Sequence, residues 1–235
     1  MKRLYVLVAC EESQEVCKAF RKLGHRAFSC DLQPCSGGHP EWHFQCDVTQ
    51  ILNPTSYSAK QFFKWLQIPK WDLIIAHPPC TYMCIGSAAR MFPKKGSIDV
   101  ERMKKALVAR EFFMKFYNAG CKHIAIENPY PLKVVNLPEH TQIIQPYWFG
   151  DPYTKKTCLW LKNLPTLEPT NMLDKALTKP YVNGGSKRED GTQRKRQGKP
   201  WGNGFTRSKT FPGVAEAMAK QWSEYILRTD YGENR

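Results

Sequence analysis

The chain alternates short apolar runs with amphipathic stretches. Leu4–Ala9 carries no charge and reads as a buried parallel strand. Val16, Ala19, Phe20 and Leu23 then recur at helical spacing. Ser13 stands where an N-cap belongs, Arg21 and Lys22 fill the last turn, and Gly24 closes it. Arg26–Cys30 reads as a second strand ending at Asp31, and Phe44–Val48 as a third, ending near Asp47. Trp71–Ala76 is a strongly apolar strand that runs into His77-Pro78-Pro79-Cys80. Helical spacing of Val100, Met103, Leu107, Phe113, Met114 and Tyr117 predicts a helix from Asp99 to Tyr117, ended by Gly120. His123–Ile126 is a further strand, leading into Glu127-Asn128-Pro129.

Strands alternating with helices predict right-handed βαβ units and a mostly parallel sheet, so the fold class is α/β. Such sheets bind ligands at the carboxyl ends of their strands. The polar clusters fall there each time: Cys10–Ser13, Asp31, Asp47, Pro78–Tyr82 and Glu127–Pro129. Beyond Pro165 the chain changes character. Lys187 to Lys209 holds eight basic and two acidic residues, with Trp201 and Phe205 among them. Val214, Met218, Trp222 and Tyr225 then mark one face of a closing helix from Phe211 to Leu227. This predicts a main domain over 1–165, a small basic insertion over 166–210, and a C-terminal helix in 211–235 that packs back on the main domain.

Composition narrows the partners. The 235 residues include 35 Lys and Arg against 21 Asp and Glu, a formal charge of +14. Such a balance favours a polyanion, with nucleic acid first; the bland alternative is a soluble basic protein. The charged and apolar fractions are ordinary for a folded chain. No apolar run reaches the ~18–20 residues of a membrane span. The first run breaks into two acids without a small-residue cleavage site, which makes a poor secretory signal. Nine scattered cysteines read as reduced thiols, and the expected location is the cytoplasm, the host's if the chain is phage-encoded.

Cys80 follows two prolines directly after a buried strand. Prolines stiffen the turn, and a stiff turn holds a thiol in one place, as nucleophilic catalysis needs. A buried structural cysteine is the alternative. Glu127 ends the next strand in another rigid polar turn, where it can donate to a substrate ring nitrogen or cap a turn. Cys35, His39, His43 and Cys46 have spacings a zinc ion can use, without a CxxC pair, and no metal is assigned. Cys84 shares a face with Cys80 if the loop is helical, and reads as a spare thiol. Lys187, Arg188, Arg194, Lys195, Arg196 and Lys199 are candidate phosphate contacts or a solvated face.

Taken together these motifs resemble the DNA cytosine-5 methyltransferases. Pro78-Pro79-Cys80 is similar to that family's Pro-Cys motif and Glu127-Asn128-Pro129 to its Glu-Asn-Val motif. Phe149-Gly150-Asp151-Pro152, running on to Lys155, Lys156 and the strand Thr157–Leu161, resembles its Phe-Gly-x-Pro-Gln-x-Arg-x-Arg motif. Gly213–Ala219 resembles its last helix. The resemblance spans nearly the whole chain in the family's order. It implies a Rossmann-like S-adenosylmethionine-dependent methyltransferase fold. It further implies S-adenosyl-L-methionine, or a modified derivative, as cofactor. Cys10, Glu11, Glu12 and Ser13 take the place of the cofactor loop, with Glu11 or Glu12 on the methionine amino group. Asp31 with Leu32 holds the ribose, Asp47 with Val48 the adenine, and Pro78 completes the cofactor site. Cys80 is implied as the nucleophile on cytosine C6, Glu127 as the N3 partner, and Lys155 as orienting the base or a phosphate. Thr81 and the basic stretch 187–199 would contact DNA. The partner implied is DNA carrying a flipped-out cytosine, bound by a monomer away from any membrane.

The departures are specific. The family's cofactor loop is glycine-rich, and Cys10–Gln14 contains no glycine. Thr81 replaces a glutamine, and Tyr153, Lys155 and Thr157 stand where the family has Gln, Arg and Arg. Residues 166–210 leave little room for target recognition. Two alternatives therefore stay open: an amino-methyltransferase acting on adenine N6 or cytosine N4, and a DNA-binding protein of the same fold without catalysis.

Overall fold

In the computed structural model the described residues are 2–53, 57–181 and 209–232, without the side chains at 57–59 and 62. The first half builds a parallel sheet. Its strands are β1 (Tyr5–Ala9), β2 (Arg26–Asp31), β3 (His43–Gln45), β4 (Leu73–Ala76) and β5 (His123–Pro129). All four pairings among them are parallel. Two short strands extend the sheet beyond β5: β6 (Gln142–Ile144) and β8 (Thr157–Lys162). The order is β3-β2-β1-β4-β5-β8-β6, with β8 antiparallel to both neighbours. A separate two-stranded ribbon joins β7 (Tyr153–Thr154) to β9 (Lys179–Pro180). The molecule is thus an α/β protein with a Rossmann-like, mostly parallel sheet.

The central strands are apolar throughout because both faces are covered. Leu7, Ala9, Ile74, Ala76, Ile124 and Ile126 enter one core, beneath helix α5 (Val100–Tyr117), which follows the short helices α2 (Thr49–Leu52), α3 (Tyr57–Trp65) and α4 (Ala88–Met91). Val6, Val8, Leu73, Ile75 and Ala125 enter the other. There the sheet meets α1 (Glu15–Lys22) and the last helix, α6 (Pro212–Tyr231). Trp222 of α6 is fully buried and donates its indole N–H to the Pro165 carbonyl at 3.0 Å. The alternation along each strand is thus present but hidden, since neither face is polar.

Helix ends follow local chemistry. Asp99 caps α5, accepting from the Arg102 amide at 2.9 Å. Gly24 takes φ +85° after α1, as its left-handed position requires. Helix α5 stops at Tyr117, before Gly120, and β3 is shorter than Phe44–Val48 suggested. The expected cap at Ser13 is not formed: Gln14 occupies the N-cap position in a left-handed conformation. Among the described residues, no helix is long and apolar enough to cross a membrane.

Candidate active site at the carboxyl ends of the strands

Strand order reverses between β1 and β4, so the switch point of the sheet lies where Cys10–Gln14 meets His77–Cys80. The His77 amide donates to the Ala9 carbonyl across that junction at 2.9 Å. The β1–α1 turn makes its bends without glycine, since Cys10 and Gln14 both adopt φ 59°. The Glu11 carboxylate does the capping expected of Ser13. It accepts from the amides of Val16 at 2.7 Å and Cys17 at 3.2 Å. Burial raises its pKa to about 7, against the opposing pull of His77 and those two amides.

The close backbone approach comes from elsewhere. A Cβ on Gly37 would lie 2.5 Å from the Ser13 carbonyl and from Gln14 Cβ. The 33–39 loop is therefore pressed onto the turn. Glu12 accepts from the Ser36 hydroxyl, and its carbonyl from the Ser36 amide. Gln14 exchanges side-chain hydrogen bonds with the His39 amide and carbonyl. Sequence spacing gave no signal of this packing.

Asp31 ends β2 and Asp47 lies just past β3, on the same edge of the sheet. Asp31 accepts from the Gln33 amide at 2.9 Å. Asp47 accepts from both the amide and the hydroxyl of Thr49, and those bonds hold its pKa below the ordinary value. Leu32, next to Asp31 in the chain, is 70% exposed, while Val48, next to Asp47, is buried. Carboxylates at this edge with an exposed apolar side chain beside one of them suit an adenine and a ribose. The donor set at this edge therefore fits the nucleoside part of S-adenosylmethionine. Glu11 and Glu12 sit deeper, with hydrogen bonds already made inside the protein.

The next two strand ends are stitched together. Asn128 Nδ2 donates to the Pro78 carbonyl at 2.8 Å. The Leu132 amide bonds to the Met83 carbonyl and the Ile85 amide to the Tyr130 carbonyl. Cys80 and Glu127, each half-buried, thereby project from adjacent parallel strands. Glu127 Oε2 lies 3.1 Å from His77 Nδ1. Burial opposes its charge, yet His77 and the Lys155 cation together hold its pKa below the ordinary value.

Cys84 belongs to this site, which its reading as a spare thiol missed. Its amide bonds to the Cys80 carbonyl at 3.2 Å, so the two residues lie one turn apart on the same side. The Cys84 sulfur pushes the Cys80 thiol well above its ordinary pKa, aided by burial and Glu127 and opposed by Lys155. Cys84 itself is lowered to about 6, chiefly by Cys80, with the amides of Gly86 and Ser87 helping against burial. The two thiols titrate as a coupled pair, so a thiolate on one favours a proton on the other.

Lys155 comes from the β7–β8 turn, its amide held by Gln145 Oε1 at 2.9 Å. Its ammonium lies over the rings of Tyr181 at 5.7 Å and Phe211 at 5.8 Å. A small recess beside it, about 10 Å³ and room for one water, is lined by Glu127, Lys155, Thr157, Phe211 and Val214, among others. The aromatic wall of Tyr153, Tyr181 and Phe211 was not visible in the sequence. The Phe149–Pro152 segment meets the last helix directly: Asp151 accepts from the Gly213 amide at 3.1 Å. The two motifs matched separately in the sequence are one contact in the fold.

Other candidates sit apart from this cluster. Thr81 is exposed, its carbonyl accepting from Arg102 at 3.0 Å. His43 is engaged by Ser29 and Gln33, His39 by Glu41, and Cys46 lies 3.8 Å from Cys30. His39, His43 and Cys46 thus turn to separate partners, and with Cys35 they form no group of metal-ligating side chains that converges among the described residues. Lys187, Arg188, Arg194, Lys195, Arg196 and Lys199, with Trp201 and Phe205, lie outside the described residues.

The chain matches no family model and no curated protein. Its fold is similar to several solved structures. One is described as a DNA modification methyltransferase encoded within an E. coli prophage, at 14% identity and TM-score 0.43, covering 72% of this chain and 51% of that one. Another is the Entamoeba histolytica methyltransferase EhMeth, at 16% identity and TM-score 0.43, covering 74% and 58%. A third is a mutant of Spodoptera frugiperda DNMT2, at 15% identity and TM-score 0.36, covering 72% and 54%. The likeness takes in little more than half the length of each of these chains.

Proposed function

We propose that this protein transfers a methyl or related group from S-adenosylmethionine, or a modified form of it, to C5 of cytosine in DNA. The observation that carries the reading is that Cys80 lies within electrostatic reach of Glu127 and Lys155, which line one recess, beside a strand edge suited to a nucleoside. Cytosine C5 is a poor nucleophile. Addition of the Cys80 thiolate to C6 makes it an enamine carbon able to attack an electrophilic methyl. Glu127, ionised in the free protein, takes up a proton as the base binds and donates it to N3 as negative charge develops there, and Lys155 adds a fixed positive charge beside it. Asp31, Leu32, Asp47 and Val48 hold the adenosine of the cofactor, and the Cys10–Ser13 turn with Pro78 lies toward its methionine end. The cofactor supplies the electrophilic carbon.

A cytosine reaches such a strand-end site only when it leaves the helix stack, so base flipping is part of the proposal. The excess of basic residues supplies attraction to phosphates. The division into a main domain over 1–165, a basic insertion over 166–210 and a closing helix belongs to the same reading.

The test is mass spectrometry of nucleosides from DNA of cells expressing the protein, beside a Cys80→Ala control. A modified deoxycytidine that vanishes in the control supports the proposal, and its mass increment names the group. Modification that persists in the control points to amino-methylation, which needs no covalent adduct. Unmodified DNA in both points to a binding protein, an RNA or nucleotide substrate, or a cofactor that the expression host does not make.

A further inference from the structure

His77 is the residue of this site that neither its motif nor its spacing explains. Its ring and the Glu127 carboxyl are both nearly buried, with side chains 9% and 13% exposed. Nδ1 lies 3.1 Å from Glu127 Oε2, and Nε2 is buried without a hydrogen-bond partner among the described residues. A histidine held for the fold looks different here. His123 is paired at both nitrogens, with the Asn163 carbonyl at 2.6 Å and Asp230 at 3.0 Å. Among the described residues the His77 ring makes one hydrogen bond, and it is to Glu127.

We propose that His77 is the positioning residue for Glu127: its Nδ1–H donates to Oε2, fixes the carboxyl plane, and leaves Oε1 as the edge offered to an incoming base. The assignment deepens the proposed function and rests on it for the identity of the base. The neighbours set the direction of the bond. Glu127 faces His77 from the end of β4, Lys155 from the β7–β8 turn, the Cys80 thiol, and Cys158 on β8. His77 also faces Glu11 from the β1–α1 turn. Its depressed pKa makes Glu127 an ionised acceptor, so the shared proton belongs on Nδ1.

The backbone supports the same role. The His77 amide is fixed to Ala9, and Pro78, next in the chain, is fixed to Asn128. The ring therefore stands on a strand end anchored on both sides, which is what precise aiming of a second side chain requires.

Two measurements decide it. Long-range ¹H–¹⁵N correlation spectra of the full chain, with His77 assigned by its loss in His77→Asn, report which ring nitrogen is protonated. A proton on Nδ1 is expected, and a bare Nδ1 overturns the proposal. Transfer to DNA is then compared for His77→Asn, which keeps a donor near the Nδ1 position, and His77→Leu, which does not. At equal melting temperatures, His77→Leu should lose kcat by about 100-fold, and His77→Asn by less than about 5-fold. The Glu127 limb of the pH profile should move to higher pH in His77→Leu alone, because the carboxylate loses its donor. Equal losses in both variants, with no shift of that limb, overturn the assignment. A wild-type protein that transfers nothing to DNA while Nδ1 is protonated refutes the proposed function and upholds the pair.

Discussion

Asn128, buried at the carboxyl end of β5, donates its side-chain amide to the carbonyl of Pro78 at 2.8 Å. The bond joins strand ends 50 residues apart in the chain. It ties the turn that carries Cys80 to the strand that carries Glu127, so a buried side-chain-to-backbone bond helps set the spacing of the two candidate catalytic groups. Asn128→Ala leaves the Pro78 carbonyl without this donor. The expected cost is about 1–3 kcal/mol in urea denaturation. Loss of activity should exceed what the lowered stability explains. A variant as stable and as active as the parent would show that the tie is dispensable.

Glu11 predicts a pH dependence of stability. Its folded pKa is raised to about 7 from an ordinary 4.5, chiefly by burial. A group raised on folding contributes stability below its unfolded pKa and loses it as pH rises through the folded value. The stability of the parent relative to Glu11→Gln should therefore fall between about pH 4.5 and 7. Parallel denaturation midpoints across that window would contradict the burial of this carboxyl.

Two glycines predict steric failures. A Cβ on Gly213 would stand 1.9 Å from the Phe149 carbonyl oxygen, and one on Gly37 would stand 2.5 Å from the Ser13 carbonyl. The obstructing atoms are backbone, so the chain itself must move. Gly213→Ala and Gly37→Ala should each cost about 1–3 kcal/mol. For a chain of this size that is a melting-point drop of roughly 2–4 °C per kcal/mol. Gly213→Ala should also loosen α6, whereas Gly37→Ala should act on the β1–α1 turn and weaken S-adenosylmethionine binding by calorimetry. Unchanged melting in both would show that these contacts are not made in solution.

The two thiols of the site should differ in reactivity. Cys84 is held near pKa 6 and Cys80 well above its ordinary value. Brief treatment with iodoacetamide near pH 7 should therefore label Cys84 before Cys80 in a peptide map. Cys84→Ser should remove this competition and lower the Cys80 pKa, making Cys80 the faster-labelled residue than it is in the parent. First labelling of Cys80 in the parent would reverse the charge assignment.

Much of this architecture is written in local patterns. Leu4–Ala9, Trp71–Ala76 and His123–Ile126 announce buried parallel strands, since all their positions but the hydrogen-bonded Asp72 and His123 face one core or the other. Their polar sequels mark the functional edge, because parallel strands all end there. What was hidden is what depends on distant pairing. The three-residue strand β6 is too short to show alternation, and the antiparallel direction of β8 is fixed by its partners β5 and β6. The capping by Glu11 replaced the obvious serine because the turn enters left-handed at Gln14. His77 reads as a mere prelude to two prolines until the fold brings Glu127 to it across 50 residues. Gly37 gives no hint of its contact, which exists only because the following loop folds back over the turn.

The central claim is covalent catalysis by Cys80. Duplex DNA containing 5-fluorocytosine, incubated with the protein and S-adenosylmethionine, tests it most directly, because fluorine at C5 blocks the elimination that would release the enzyme. The account predicts a denaturant-stable protein–DNA complex whose adduct maps to Cys80 by peptide mass spectrometry and is absent in Cys80→Ala. Formation of a modified cytosine in ordinary DNA with no trapped complex, or an adduct mapping to Cys84, would contradict it.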